Sequence, residues 1–213
     1  MRIKIFVFNP VSENTYLLID EPTKEAVIID CGAFYPEEKE ELKAYIEEHE
    51  LKVKYILSTH LHFDHCFGAN FATTEFSTGM GANKEDNYLL AAYNTSAARF
   101  GIRINDATPK VSYNIEEGMK FPFGNDELIA IHVPGHTPGS IAYYSPASKC
   151  VFVGDALFRG SIGRTDLPGG NFETLIDAIK NKLLTLPDNT VVYPGHGDKT
   201  TILEEKKHNV YLQ

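Results

Sequence analysis

The sequence predicts an α/β fold, an αββα sandwich of two mixed sheets flanked by helices. Two observations support this prediction. Strand-like and helix-like segments alternate in both halves of the chain, and tight turns join many of the strands, so parallel and antiparallel pairs should coexist. The chain has 213 residues, 43% of them hydrophobic, which suffices to bury one core. We therefore expect a single domain over residues 1–213.

The N-terminal half begins with three short strands, predicted from β-branched and aromatic residues between turn signals at residues 3–8, 14–20 and 25–30. Pro36 then opens a helix at a favoured first-turn position, with Glu37 and Glu38 near its positive end. An apolar run at residues 53–58 follows. We expect it to form a buried strand.

The C-terminal half is clearer than the middle of the chain. Residues 71–110 contain structure-breaking Gly79, Gly81 and Asn83 before a helix predicted over residues 85–99. Strand patterns then occur at residues 128–133, 140–145, 150–153 and 190–193. Asn171 is predicted to cap the last helix of the chain, because apolar residues follow it at helical spacing.

Charge and composition exclude several classes of partner. The formal net charge is −9, which opposes attraction to nucleic acid or to an anionic membrane surface. The start of the chain has no basic region followed by a long apolar run. Three cysteines cannot all pair within one chain. We expect a cytoplasmic protein with neither a nucleic-acid nor a membrane partner, and its oligomeric state stays open.

Metal-ligand residues are concentrated after the strand predicted at residues 53–58. Within six positions the segment contains His60, His62, Asp64 and His65. Alternate residues of an extended chain point the same way, so the two residues His60 and His62 can meet one ion, while the following turn directs the other two elsewhere. This spacing favours two neighbouring ions over one.

Three further candidates follow predicted strands where glycine and proline mark turns: His136, Asp155 and His196. Strand ends hold side chains firmly, and glycine lets the backbone approach closely. The sequence therefore predicts a site for one or two divalent ions. Zn²⁺ is the first expectation, with Fe²⁺ and Mn²⁺ as alternatives, because imidazole and carboxylate ligands accept all three.

The pattern His-x-His-x-Asp-His, followed by a distant His, Asp and His, resembles the metallo-β-lactamase fold superfamily over nearly the whole chain. Within it the sequence is similar to the glyoxalase II-like (hydroxyacylglutathione hydrolase-like) branch, especially short bacterial members, because residues 160–170 read GSIGRTDLPGG and the chain ends soon after Gly195-His196-Gly197. The resemblance implies one metal on His60, His62 and His136. It implies a second on Asp64, His65 and His196, with Asp155 between the two.

The resemblance also implies a metal-dependent hydrolase that cleaves a small-molecule thioester by a metal-bound hydroxide. Asp64 and Asp155 would be catalytic, orienting the hydroxide and accepting its proton. The C-terminal helical region of longer glyoxalase II enzymes is missing, so we expect a different or smaller substrate than a glutathione thioester. Arg164, Arg159 and Tyr144 are candidate anchors for an anionic tail, and pairing of Arg164 with Asp166 or Asp155 is an equal alternative.

Two other functions remain open. A persulfide dioxygenase resembles this branch and uses a single Fe(II) on the counterparts of His60, His136 and Asp155, which leaves positions open for oxygen. A metal-stabilised binding protein without turnover is the other alternative. Cleavage of lactams is disfavoured, because lactam-cleaving relatives often place Cys near the second metal whereas this chain has Asp155.

Overall fold

The computed structural model describes all 213 residues, and the N-terminal half forms a six-stranded sheet. Its strands lie side by side in chain order: β1 (Arg2–Phe8), β2 (Glu13–Ile19), β3 (Glu25–Ile29), β4 (Lys52–Leu57), β5 (Met80–Ala82) and β6 (Tyr113–Asn114). Short turns make the first three strands antiparallel, whereas the strands from β3 to β6 run parallel. The carboxyl ends of β3, β4 and β5 therefore meet at one edge.

A second six-stranded sheet comes from the C-terminal half, in the order β14-β13-β10-β9-β8-β7. Its strands are β7 (Lys120–Phe123), β8 (Asp126–His132), β9 (Ile141–Ser145), β10 (Cys150–Gly154), β13 (Val191–Pro194) and β14 (Thr200–Thr201). Only β10 and β13 pair in parallel. A small hairpin of β11 (Leu157–Phe158) and β12 (Ser161–Ile162) follows β10.

The chain has six α-helices, five between strands and one after the last strand. They are α1 (Pro36–Glu48), α2 (Ala69–Glu75), α3 (Asn87–Ala91), α4 (Tyr93–Arg99), α5 (Phe172–Ala178) and α6 (Ile202–His208). Two 3-10 turns lie at Phe63–His65 and Lys84–Asp86, and a π-helical turn at Ile179–Leu183 continues α5. None of the helices combines the length and the apolar character that crossing a bilayer requires.

Strand β2 shows how the layers pack, since all of its residues are buried. Tyr16 and Leu18 join the apolar cluster that both sheets share, whereas Leu17 and Ile19 join a cluster that includes Leu42 of α1. A third cluster packs α5 against the other face of the second sheet. Because each sheet is covered on both faces, the predicted αββα sandwich of two mixed sheets is confirmed.

Two helix predictions need correction. The helix expected over residues 85–99 is divided at Ala92, whose φ of −100° and ψ of 6° end α3. Its N–H bonds to the carbonyl of Leu89 at 3.1 Å, which closes a tight turn. The helix after Asn171 is capped as predicted, because Asn171 Oδ1 accepts from Thr174 N at 2.8 Å. It is not the last helix, since the short α6 follows it, and seven residues are too few for a helical period to be read.

Candidate metal centre

The segment that holds four candidate ligands leaves β4 after Leu57 and ends in the 3-10 turn Phe63–His65. The side chains of His60, Asp64 and His65 are buried. Cys31 N bonds to the carbonyl of His65 at 3.1 Å, so the end of the segment is tied to the chain that follows β3. The segment is thereby held at the edge where the parallel strands end.

The other candidate ligands come from the second sheet. His136 lies in the turn after β8, Asp155 directly follows β10, and His196 follows β13. Since β10 and β13 are parallel neighbours, the residues after them lie close together. The structure therefore brings the seven candidate residues to one place, where groups of three offer donor atoms that all lie within 4.8 Å of one another.

One group of imidazoles consists of His60, His62 and His136. Nδ1 of His62 lies 3.0 Å from Nε2 of His60 and 3.0 Å from Nε2 of His136. A second group consists of Asp64, His65 and His196, in which Nε2 of His196 lies 3.2 Å from Oδ2 of Asp64. These two groups match the two ligand sets that the resemblance implies.

Asp155 lies between the two groups. Its Oδ1 is 3.4 Å from Nε2 of His65, and its Oδ2 is 3.8 Å from Nε2 of His136 and 3.7 Å from Nε2 of His196. One carboxylate thus faces imidazoles from both groups, as a ligand shared by two cations would.

The unpaired atoms of this cluster fit a divalent cation. His65 Nε2 and Asp155 Oδ1 are buried and have no hydrogen-bond partner, and a buried polar atom without a partner is costly. Burial, reinforced by neighbouring imidazoles, lowers the pKa of His60 well below its ordinary value. Burial together with His136 lowers the pKa of His62 to about 3. Both rings are thereby kept neutral, which is the form that binds metal.

The carboxylates around His65 carry negative charge. Burial opposes ionisation of Asp155, but His65, His136 and His196 outweigh it and hold the pKa of Asp155 below its usual value. Burial would also lower the pKa of His65, yet Asp155, Asp30 and Asp64 raise it well above the ordinary value. The carboxylates that favour a proton on His65 would equally stabilise a cation in its place.

Asp30 supports this site and was missed by the sequence analysis. Its Oδ2 accepts hydrogen bonds from Nδ1 of His65 at 2.9 Å and from Oγ1 of Thr59 at 2.7 Å, and its Oδ1 accepts from Thr59 N at 2.7 Å. A carboxylate behind a ligand imidazole fixes the ring and its tautomer. Asp30 directly follows β3, as Asp155 directly follows β10, so both carry the same strand-end signal, but no histidine lies near Asp30 in the sequence.

Asp86 was missed as well. It is fully buried and lies between two ligand segments. Its Oδ2 accepts from Oγ1 of Thr137 at 2.7 Å and from Leu61 N at 3.3 Å, and its Oδ1 accepts from Gly139 N at 2.7 Å. Burial raises the pKa of Asp86. The residue joins the segment of His60 and His62 to the turn of His136, so it holds both in a common position.

A cavity of about 350 Å³ opens onto the ligand atoms. Part of its lining, which we call the helical wall, comes from α3, α4 and the residues next to them, within the region 71–110 whose role the sequence left open. The helical wall consists of Tyr88, Leu89, Ala92, Thr95, Ser96, Arg99 and Phe100. Tyr88 Oη donates to the carbonyl of Pro168 at 2.8 Å, which bridges the wall to the loop that supplies Leu167 and Pro168 to the cavity.

The three predicted substrate anchors have different positions. Arg164 lines the cavity, but its Nε and Nη2 donate to the two carboxylate oxygens of Asp166, each at 2.8 Å. Arg159 points to solvent, with 65% of its side chain exposed, and lies 3.8 Å from Asp198. Tyr144 packs against the cluster between α5 and the second sheet. Neither Arg159 nor Tyr144 lines the cavity.

The architecture and the ligand cluster agree with a comparison against protein families. A family model described as the metallo-beta-lactamase superfamily matches residues 8–196. The chain belongs to this superfamily. Its members are mostly hydrolases, act on small molecules and bind divalent metals.

Individual proteins similar to this chain show which members of the superfamily it resembles. The hydroxyacylglutathione hydrolase GloC of Haemophilus influenzae is 38% identical over 213 residues, covering 100% of this chain and 98% of its own. The structure of TTHA1623 in a di-iron-bound form is 36% identical with a TM-score of 0.86, covering 98% of this chain and 100% of that one.

Two other solved structures carry different names. One called BLEG-1 B3 metallo-beta-lactamase is 36% identical with a TM-score of 0.88, covering 100% of both chains. ETHE1 from Myxococcus xanthus is 29% identical with a TM-score of 0.79, covering 99% of this chain and 84% of its own. The metallo-beta-lactamase superfamily is thus what the chain shares with these proteins, whose printed names differ.

Proposed function

We propose that this protein is a divalent-metal-dependent hydrolase of small acyl thioesters. The observation that carries the proposal is a convergence of seven ligand side chains beside one cavity, in which buried His65 Nε2 and Asp155 Oδ1 have no hydrogen-bond partner. The seven are His60, His62, Asp64, His65, His136, Asp155 and His196. The likeness to GloC of Haemophilus influenzae supports a thioester as the substrate class.

The donor set accommodates two ions. His60, His62 and His136 would hold one, and Asp64, His65 and His196 the other, with Asp155 shared between them. Zn²⁺ is the first candidate, and Fe²⁺ and Mn²⁺ suit the same mixture of imidazole and carboxylate. The di-iron form of TTHA1623 supports iron as an alternative in a site of this kind.

Bound divalent ions would supply a water of lowered pKa, about 7, and would polarise the carbonyl under attack. Within the chain, Asp64 and Asp155 would orient that water, and a carboxylate oxygen of Asp64 would accept its proton. His60 and His62 stay neutral as ligands because burial opposes the charge on their imidazoles. No acid needs to protonate the leaving group, since a thiol with a pKa of about 8.5 departs readily as thiolate.

The test measures thioester cleavage by protein stripped of metal and reloaded separately with Zn²⁺, Mn²⁺ or, under anaerobic conditions, Fe²⁺. We expect metal-dependent hydrolysis of S-lactoylglutathione or of a simple acyl thioester, and loss of it in Asp64→Ala. Asp198→Ala is the matched control, because 84% of that side chain is exposed. The proposal would be overturned if the Zn²⁺-, Mn²⁺- and Fe²⁺-loaded proteins all bind metal but cleave no thioester. If none of them cleaves a lactam either, a binding protein would be favoured.

A persulfide dioxygenase is the second candidate, and the likeness to ETHE1 of Myxococcus xanthus favours it. His60, His136 and Asp155 would hold its single Fe(II). Oxygen uptake with glutathione persulfide, together with one iron per chain in anaerobically purified protein, would support this activity. Zinc or two metals per chain with thioester cleavage would support the hydrolase.

A further inference from the structure

Helix α4 presents one face to the cavity. Ala92, at its N-cap, and Thr95, Ser96 and Arg99 all line it, and their spacing of three, four and seven residues is that of one helical face. The face runs from a small apolar residue through two hydroxyls to a guanidinium group. A substrate lying along it would meet a positive charge at the C-terminal end of the helix.

The charge of Arg99 is free, unlike that of the other arginine in the cavity. Arg164 is engaged by both oxygens of Asp166. Arg99 is exposed, and it makes no ion pair or side-chain hydrogen bond with any other residue of the chain. A lone guanidinium at a cavity in a chain of net charge −9 is a ready partner for an anionic ligand, and its fork of donors matches a carboxylate.

The position of Arg99 relative to the metal ligands is set by packing. Phe100 stacks at an angle on Phe63, with ring centroids 5.3 Å apart, and Phe63 lies between the ligands His62 and Asp64 in sequence. Tyr93 and Ala97 of α4 are buried in the core on the other side of the helix. The helix is therefore anchored on both sides of the cavity face, so that Arg99 stays beside the site.

We propose that Arg99 binds a carboxylate of the substrate, and that the substrate class is a small acyl thioester that carries one. The apolar part of such a molecule suits Leu89, Ala92 and Leu167 in the same lining. The cavity of about 350 Å³ suits a small molecule rather than a large carrier. This inference rests on the proposed thioester hydrolysis, and it locates an anion subsite within residues 71–110 of the chain.

A purely structural role for Arg99 is the alternative. It lies in the last turn of α4, where a positive charge favours the helix C-terminus. That role would appear in the melting temperature and would affect every substrate alike. An anion subsite would instead change KM for carboxylate-bearing substrates only.

The test compares three thioesters: neutral S-butanoyl-N-acetylcysteamine, S-butanoyl-N-acetylcysteine with a carboxylate on the thiol half, and S-glutaryl-N-acetylcysteamine with a carboxylate on the acyl half. Wild type should have a lower KM for at least one carboxylate substrate than for the neutral one. Arg99→Gln should raise that KM about tenfold with kcat kept. Arg99→Lys should restore part of the difference, and the substrate that responds identifies the half that Arg99 binds.

Arg103→Gln is the matched control, because Arg103 is exposed and does not line the cavity. It removes the same charge and should leave all three KM values unchanged. Equal effects of Arg99→Gln on neutral and charged substrates, or none, would overturn the anion subsite while leaving thioester hydrolysis intact. If wild type cleaves neither these three nor S-lactoylglutathione, hydrolysis of thioesters fails instead. Calorimetric binding of the thioether S-butyl-N-acetylcysteine and its carboxamide to wild type and Arg99→Gln then still decides whether Arg99 binds a carboxylate on the thiol half.

Discussion

The two sides of the cavity are built differently. On the ligand side, His60, His65 and His136 are 1–2% exposed, and their Nδ1 atoms meet Thr59, Asp30 and the carbonyl of Arg164 at 2.8–3.0 Å. On the helical wall, Phe100 is 52% exposed and Arg99 has no partner at all. The ligand side is tied into both sheets, whereas the wall consists of two short helices.

This difference indicates where the protein can tolerate substitutions. Altering a ligand or its supporting carboxylate disturbs several hydrogen bonds at once, so the chemistry of the site resists substitution. Altering the exposed positions of the wall disturbs little of the core, so selectivity for a substrate can vary there.

The largest effect is expected at the centre of the ligand side. Asp155→Ala removes the one carboxylate that faces both imidazole groups, and should lower kcat/KM by about 10³-fold with loss of bound metal. Elemental analysis and thioester kinetics measure it. Activity within tenfold of wild type would break the contrast between the two sides.

A smaller loss is expected behind the ligands. Asp30→Asn keeps the size of the side chain but replaces an acceptor with an amide facing His65 and Thr59, so metal affinity should fall by about 10- to 100-fold. Competition with a chromophoric chelator measures the affinity. Asp20→Asn is the control, since Asp20 is also a buried carboxyl after a strand and accepts hydrogen bonds from Thr23, which is no part of the ligand segments. An equal loss in both variants would mean that the effect is general destabilisation.

Asp86→Asn should act mainly on folding. One of the donors that Asp86 now accepts from, either Thr137 or Gly139, would lose its partner in a buried place, which lowers the free energy of unfolding by about 1–3 kcal/mol. Urea denaturation of metal-loaded protein measures the change. Unchanged stability with weakened metal binding would show instead that Asp86 acts on the ligands alone.

The smallest effect concerns the charge of Arg164. Its hydrogen bond to Asp166 lowers the pKa of Asp166 to about 2, so the pair is complete above about pH 4 and is lost only as pH falls through about 2. Carbon-13 NMR of the Asp166 carboxyl should show this midpoint, and Arg164→Gln should return it to about 4. A midpoint of about 4 in wild type would mean that Arg164 and Asp166 are not paired in solution. Arg164 would then be available to compete with Arg99 for an anion.

The ligand side could be predicted from sequence because its residues form a local pattern, in which His and Asp follow apolar strands. Asp30 shares that position but was missed, since a lone Asp after a strand also suits a turn. The helical wall could not be predicted, because its place depends on long-range contacts such as Phe63 with Phe100. The position of Arg159, a predicted anchor, likewise depends on tertiary structure, since it lies in the turn between β11 and β12 and its side chain is exposed.

The bridge from Tyr88 to Pro168 fits closely against the next residue of the loop. That residue, Gly169, has a φ of +89°, and a Cβ there would come within 2.2 Å of Tyr88 Oη. Any larger residue at position 169 would therefore have to displace the tyrosine and adopt a backbone conformation that side chains disfavour, although it would touch no metal ligand. The contact between the helical wall and the loop of Leu167 and Pro168 therefore depends on the absence of a side chain at position 169.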